Sequence, residues 1–368
     1  MGGRLVAWWW LCCGGLLACA PEAAEPVDMG VDQWSDEGEG AVEDAASPEV
    51  LDLAVDQDIA VDPVDMGLDQ ESTPPDLTLD AGEEEAEVGP AEGGGCGQPR
   101  PAQDQRWAVR HGGLERRFYV HFPPGYDPAR PAAVVLNFHG RAMNAGLQAL
   151  LSGMNEVADQ NNFIAVHPEG TGALEQTWNG GVCCGAASTG QVDDVGFVRA
   201  LLDELERAVC VDTRRVYATG ISNGGFFAHR LGCELADRIA AIAPVAGTLG
   251  VFTCAPARPM PVLHFHGDAD MIVPYEGFAG FVSVPQTIQG WVERNGCSPQ
   301  PELYFDEAEV VCEAWRGCRA GAEVRLCTVE GGGHTWPGGF PVSFLGPTTD
   351  TISASEEMWR FFAGHALP

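Results

Sequence analysis

The segment YATGISNGGFFAHRLGCE, residues 217–234, sets a serine between glycines where an apolar run gives way to helical spacing. Gly220, Gly224 and Gly225 carry no side chain to crowd a sharp strand-to-helix reversal, so Ser222 is expected with its hydroxyl presented outward. A serine hydroxyl attacks a carbonyl only when a base takes its proton, and the base needs an acid to fix its tautomer. Two later segments carry such groups: HFHGDADMIVPY holds Asp268 and Asp270, and VEGGGHTWPGG holds His334 in a glycine-rich loop. Ser222, Asp270 and His334 are expected as nucleophile, acid and base, with Asp268 as the competing acid. Asp193 and Asp194 read better as caps of the helix they open. The charge that develops on an attacked carbonyl needs backbone donors. The N–H of Asn223, at a helix N-terminus, and that of Arg141, after His139-Gly140, are the candidates. This chemistry calls for no metal and no organic cofactor.

The elements that must position these groups alternate. RRFYVHFPPGY alternates like a strand, while AAVVLNFHG and NFIAVHPEG are short apolar runs suited to strands buried on both faces. GLQALLSGMNEVADQ and VDDVGFVRALLDELERAVC have helical spacing, the second opened by an Asp cap. RRVYATG, the serine turn and its helix follow. Strands IAAIAPVAG and MPVLHFHG, helix VPQTIQGWVERNG, strand EVRLCTVEG and helix DTISASEEMWRFFAGH complete the chain. This order predicts an α/β fold, a mostly parallel sheet covered by helices on both faces, with its chemistry at the carboxyl ends of the strands.

The net charge of −33 is uneven, because residues 21–95 hold 24 acidic and no basic side chains. With no basic patch to meet phosphates, nucleic acid is not expected as a partner. VDMGVDQ recurs as VDMGLDQ within this stretch, and residues 19–95 read as a self-repelling, disordered tether. The apolar run before it, residues 1–18, has the layout of an export signal and is too short and glycine-broken for a membrane span. LLAC, residues 16–19, resembles a bacterial lipobox, which makes Cys19 the expected lipidation site and an anchor the only membrane contact; plain secretion is the alternative. Of 13 cysteines, ten lie beyond the tether, and an even set in an exported chain reads as disulfides. The expected pairs are Cys312–Cys318, Cys233–Cys254 and Cys297–Cys327. Cys183 and Cys184 join either each other or a distant cysteine such as Cys96.

HFHGDADMIVPY, GGGHTWPGG, TWNGGVCCG, VDDVGFVRALLDEL and the serine segment together resemble the polyhydroxybutyrate depolymerase/feruloyl esterase family of secreted serine esterases, over roughly residues 105–364. The resemblance implies an α/β-hydrolase domain over 96–368 with Ser222, Asp270 and His334 as its triad. Arg141 departs from the small or polar residue such enzymes often carry there. Trp178 and Trp336 are expected either to stack on an aromatic acyl group or sugar ring, or to be core aromatics. The absence of a C-terminal surface-binding module points towards feruloylated or acetylated plant cell-wall polysaccharide, with hydroxyalkanoate oligomers as the other substrate, acted on by a monomer. A non-catalytic carbohydrate- or surface-binding lipoprotein on the same fold, and a serine peptidase, are the competing functions.

Overall fold

A computed structural model of the chain describes residues 94–99, 101–172, 175–278 and 280–368. The expected signal peptide, Cys19 and, apart from Gly94 and Gly95, the acidic tether lie outside them. Apolar runs at 132–138, 164–168, 216–221, 241–245 and 262–267 have both faces to bury, and with the more mixed 324–329 they become the middle of one ten-stranded sheet. In chain order the strands are β1 (Asp104–His111), β2 (Leu114–His121), β3 (Ala132–Phe138), β4 (Ile164–Pro168), β5 (Val211–Ile221), β6 (Ala241–Val245), β7 (Val262–Gly267), β8 (Glu302–Glu307), β9 (Val310–Trp315) and β10 (Val324–Val329). Their order across the sheet is β1-β2-β4-β3-β5-β6-β7-β10-β9-β8. The six central strands are mutually parallel, and antiparallel hairpins close both edges.

The helices are α1 (Ala145–Ser152), α2 (Met154–Asn161), α3 (Gly185–Thr189), α4 (Asp194–Ala208), α5 (Asn223–Glu234), α6 (Val284–Asn295) and α7 (Ala354–Phe362). Period-two alternation divides β3 between two cores. Val134 and Leu136 join Leu201, Leu205, Leu231 and Trp291 of α4, α5 and α6, whereas Ala133 and Val135 join Met154, Met358 and Phe362 of α2 and α7. Local signals set the helix ends. Asp193 accepts from the Gly196 N–H to cap α4, and Ser283 and Gln286 form a capping box on α6, which stops at Gly296 with φ 64°.

Three expectations need correction. The single helix over 146–160 is two, because Gly153 takes a left-handed conformation that ends α1 and starts α2. The edge strands β1, β8 and β9, half-exposed and polar on one face, gave no continuous apolar run to read. The disulfides are Cys96–Cys210, Cys183–Cys184, Cys233–Cys254, Cys297–Cys318 and Cys312–Cys327. Of the three expected pairs only Cys233–Cys254 is present; of the two options for Cys183 and Cys184, the vicinal bond forms. Cys312 and Cys327 are direct cross-strand partners of β9 and β10, which takes Cys312 from Cys318 and leaves the latter for Cys297 at the end of α6.

Candidate active site

Because β3 to β7 and β10 run parallel, the residues that follow each strand gather at one rim of the sheet. Ser222 follows β5 directly and precedes α5, with φ 57° and ψ −123°, a backbone state that costs a non-glycine residue about 1–3 kcal/mol. Its N–H is held by the Val245 carbonyl at 2.9 Å and its own carbonyl accepts from Phe226. The flanking glycines are sterically required: a Cβ on Gly220 would lie 2.5 Å from the Phe138 carbonyl, and one on Gly224 would overlap the same oxygen. The Ser222 hydroxyl caps nothing, and among the described residues no hydrogen bond joins it to His334. Such contacts often tighten only when substrate engages.

Asp270 and His334 are joined. Asp270 Oδ2 lies 2.7 Å from His334 Nδ1, and both residues are 4 % exposed. The other carboxylate oxygen accepts from the N–H groups of Ile272 and Val273, at 2.8 and 2.9 Å. Burial pushes the Asp270 carboxyl up. Hydrogen bonds from His266 and His334, the His334 charge and the Val273 N–H more than offset it and hold the group well below the usual carboxylate range. Asp268 does not touch the imidazole. Its exposed side chain accepts from the Gly331 N–H at 2.6 Å and so ties the loop after β7 to the loop after β10. The His334 N–H bonds the Leu345 carbonyl, fixing the far side of the loop.

The loop after β3, where the second oxyanion donor is expected, packs against the serine turn. A Cβ built on Gly140 would lie 3.5 Å from Ser222 Cβ, so the chain from Gly140 to Arg141 runs beside the Ser222 side chain. His139 shapes this turn. Its Nδ1 donates to the Gly140 carbonyl at 2.7 Å and its Nε2 accepts from the Gly170 N–H at 2.9 Å, the pattern of one neutral tautomer. Burial lowers its pKa to about 4, against the opposing Gly140 hydrogen bond, and so keeps the ring neutral. The Arg141 guanidinium turns outward and bonds Glu175 through Nε and Nη2, leaving only its backbone to the site. As the first residue of α5, Asn223 has no carbonyl within the helix to take its N–H. Its side chain accepts from the Trp178 N–H and donates to the Trp178 carbonyl, which fastens the 177–185 segment to the serine turn.

Of the two options for the tryptophans, the structure takes the core. Trp178 is fully buried with Phe227 and Phe197 stacked parallel to its ring, and Trp336, 1 % exposed, donates to Ser355 Oγ. Neither offers a ring face to a ligand. Asp193 caps α4, while Asp194 forms a buried pair with Arg116 at 2.8 Å. The sequence reading missed His266, whose Nε2 donates to the Val273 carbonyl at 2.8 Å and lies 3.4 Å from Asp270 Oδ2. The HFH alternation was its signal, since His264 and His266 share one face of β7. The rim loops also expose apolar side chains: Met271, Ile272 and Phe278 after β7, and Phe340 and Phe344 after β10.

Known proteins similar in sequence or fold carry esterase names. The chain is 34 % identical over 238 residues to "Feruloyl esterase B" of Piromyces equi, an alignment covering 60 % of this chain and 42 % of that protein. It is 31 % identical over 304 residues to the Nocardia uniformis subsp. tsuyamanensis protein named "Putative esterase NocK", covering 72 % of this chain and 85 % of that one. It is 26 % identical over 288 residues to "Feruloyl esterase D" of Neurospora crassa, covering 73 % and 89 %. An acetyl xylan esterase from Aspergillus awamori has the same fold, with a TM-score of 0.51 at 13 % identity over 70 % of this chain and 99 % of that one. No family model matches the chain.

Proposed function

Since the chain belongs to the polyhydroxybutyrate depolymerase/feruloyl esterase family of carboxylic ester hydrolases, we propose that it cleaves esters through an acyl-serine intermediate on Ser222. The observation that carries this reading is the buried Asp270–His334 hydrogen bond at the rim where Ser222 is presented. His334 takes the Ser222 proton as the oxygen attacks the ester carbonyl and returns it to the leaving alcohol. Asp270 holds the imidazole with its proton on Nδ1, so that Nε2 is the basic nitrogen. The N–H groups of Asn223 and Arg141 receive the oxyanion, with the α5 dipole behind the first. Water then releases the acid from the serine.

For the substrate we take feruloylated or acetylated polysaccharide. The names of the relatives support this, and so do Met271, Ile272, Phe340 and Phe344, which give an apolar acyl group a surface beside the acid and base loops. In a release assay on methyl ferulate, acetylated xylan and a hydroxybutyrate trimer, the two cell-wall-type esters are expected to be cleaved at the higher kcat/KM. Preference for the trimer would move the assignment to polyester oligomers.

We place the enzyme outside the cytoplasm, held by a lipid on Cys19. Five disulfides support export, because such bonds persist in oxidising compartments. Cells expressing the chain should incorporate a palmitate analogue into it, and Cys19→Ala should abolish the label. An unlabelled chain, or label that survives the substitution, contradicts the anchor.

A further inference from the structure

The Asp270 side chain is fully buried, and a buried carboxylate is costly unless its oxygens find donors. One of the groups that meet it lies outside the triad. His266, the penultimate residue of β7, is 1 % exposed and stands four positions before Asp270. Its Nε2 faces two oxygens, the Val273 carbonyl at 2.8 Å and Asp270 Oδ2 at 3.4 Å. Two acceptors in front of one nitrogen require a proton on it, whatever the state of Nδ1. Val273 in turn gives its N–H to Asp270 Oδ1 at 2.9 Å. His266 thus reaches both carboxylate oxygens, Oδ2 with its own N–H and Oδ1 through the residue it anchors.

The ring is itself fixed on two sides. His266 Nδ1 lies 3.1 Å from Nε2 of His264, on the same face of β7, and the two rings are 12° from parallel. Tyr275 meets the His266 ring edge-on, and its hydroxyl lies 3.0 Å from Thr328 Oγ1 of β10. Behind His264 stands His229 of α5, whose Nδ1 accepts from Trp291 of α6. An apolar ring would fill the place of His266 with no buried nitrogen to satisfy, so packing alone does not account for an imidazole there. What its N–H holds does account for it.

We infer that His266 is a positioning residue for the ester hydrolysis: its Nε2–H holds the Asp270 carboxylate in the orientation that His334 Nδ1 meets. The inference rests on the esterase reading above and adds to it a side chain that acts through the acid, where small misplacements are expensive in rate. His266→Leu should lower kcat on methyl ferulate about tenfold and leave KM within about twofold, the pattern of an interaction needed in the transition state. His266→Gln, whose amide N–H can meet the same oxygens, should stay within about threefold of the unsubstituted chain. Rates are read below each variant's melting temperature. In the unsubstituted chain with isotope-labelled histidines, NMR should find His266 protonated on Nε2, with a cross-peak from that proton to the His334 Nδ1 proton, since both point at Asp270 Oδ2. An unchanged kcat in His266→Leu, a loss in His266→Gln as large as in His266→Leu, a bare Nε2 or a missing cross-peak overturns the proposal. The NMR measurement needs no substitution and decides the contact even if His266→Leu does not fold. An unsubstituted chain inert on methyl ferulate would instead sink the esterase reading, and the spectrum would still decide whether His266 holds Asp270.

Discussion

Ser222→Ala is expected to lower kcat on a short p-nitrophenyl ester by about 10⁵–10⁶-fold, the size of loss seen when a serine nucleophile is removed from an assembled triad. The fold should not change. Alanine carries the same Cβ into the φ 57° turn, and the hydroxyl caps no helix residue. A melting temperature equal to that of the unsubstituted chain, measured alongside the rate, separates lost chemistry from lost structure. Activity that survives the substitution would move the nucleophile elsewhere.

Asp270→Asn is the second large effect, at about 10⁴-fold in kcat. One carboxylate oxygen is committed to the N–H groups of Ile272 and Val273, so the asparagine carbonyl must face them. Its NH₂ then points at His334 Nδ1, which has to accept, and the proton moves to Nε2, where a base is needed. Asp268→Asn is the control. Its exposed side chain can still accept from the Gly331 N–H, and a change of no more than about twofold is expected. Equal losses from the two substitutions would contradict the assignment of Asp270. The Asp270 carboxyl is held below its ordinary range, so its contribution to folding is complete above about pH 4 and is lost as the pH falls through the depressed value. The stability difference between the unsubstituted chain and Asp270→Asn should therefore shrink in acid.

The central sheet was legible because strands buried on both faces leave unbroken apolar runs, and β3, β4 and β6 stand where those runs stand. The serine turn was legible because its glycines answer a steric demand, as the Phe138 carbonyl against Gly220 and Gly224 makes plain. The choice between Asp268 and Asp270 was not. Two residues apart on one loop, they differ only in which way the turn after β7 sends them, towards the Gly331 N–H or the His334 ring. Two of the three expected disulfides, Cys312–Cys318 and Cys297–Cys327, failed for the same reason. Cys312 and Cys327 meet through strand register, which sequence spacing does not carry. The positioning contacts of His266 and His139 were not legible because these rings hold other groups, the Asp270 carboxylate and the Gly140 turn, and such contacts exist only once the chain is folded.

What the whole reading requires is that the oxygen of one serine be made reactive by a histidine 112 positions further along the chain, across the rim of the sheet. Reaction of the purified chain with a fluorophosphonate, followed by peptide mapping, measures that reactivity directly. The expected result is a single adduct on Ser222 that disappears in His334→Ala. An unmodified chain, an adduct on another residue, or labelling of Ser222 at an undiminished rate without the imidazole would contradict it.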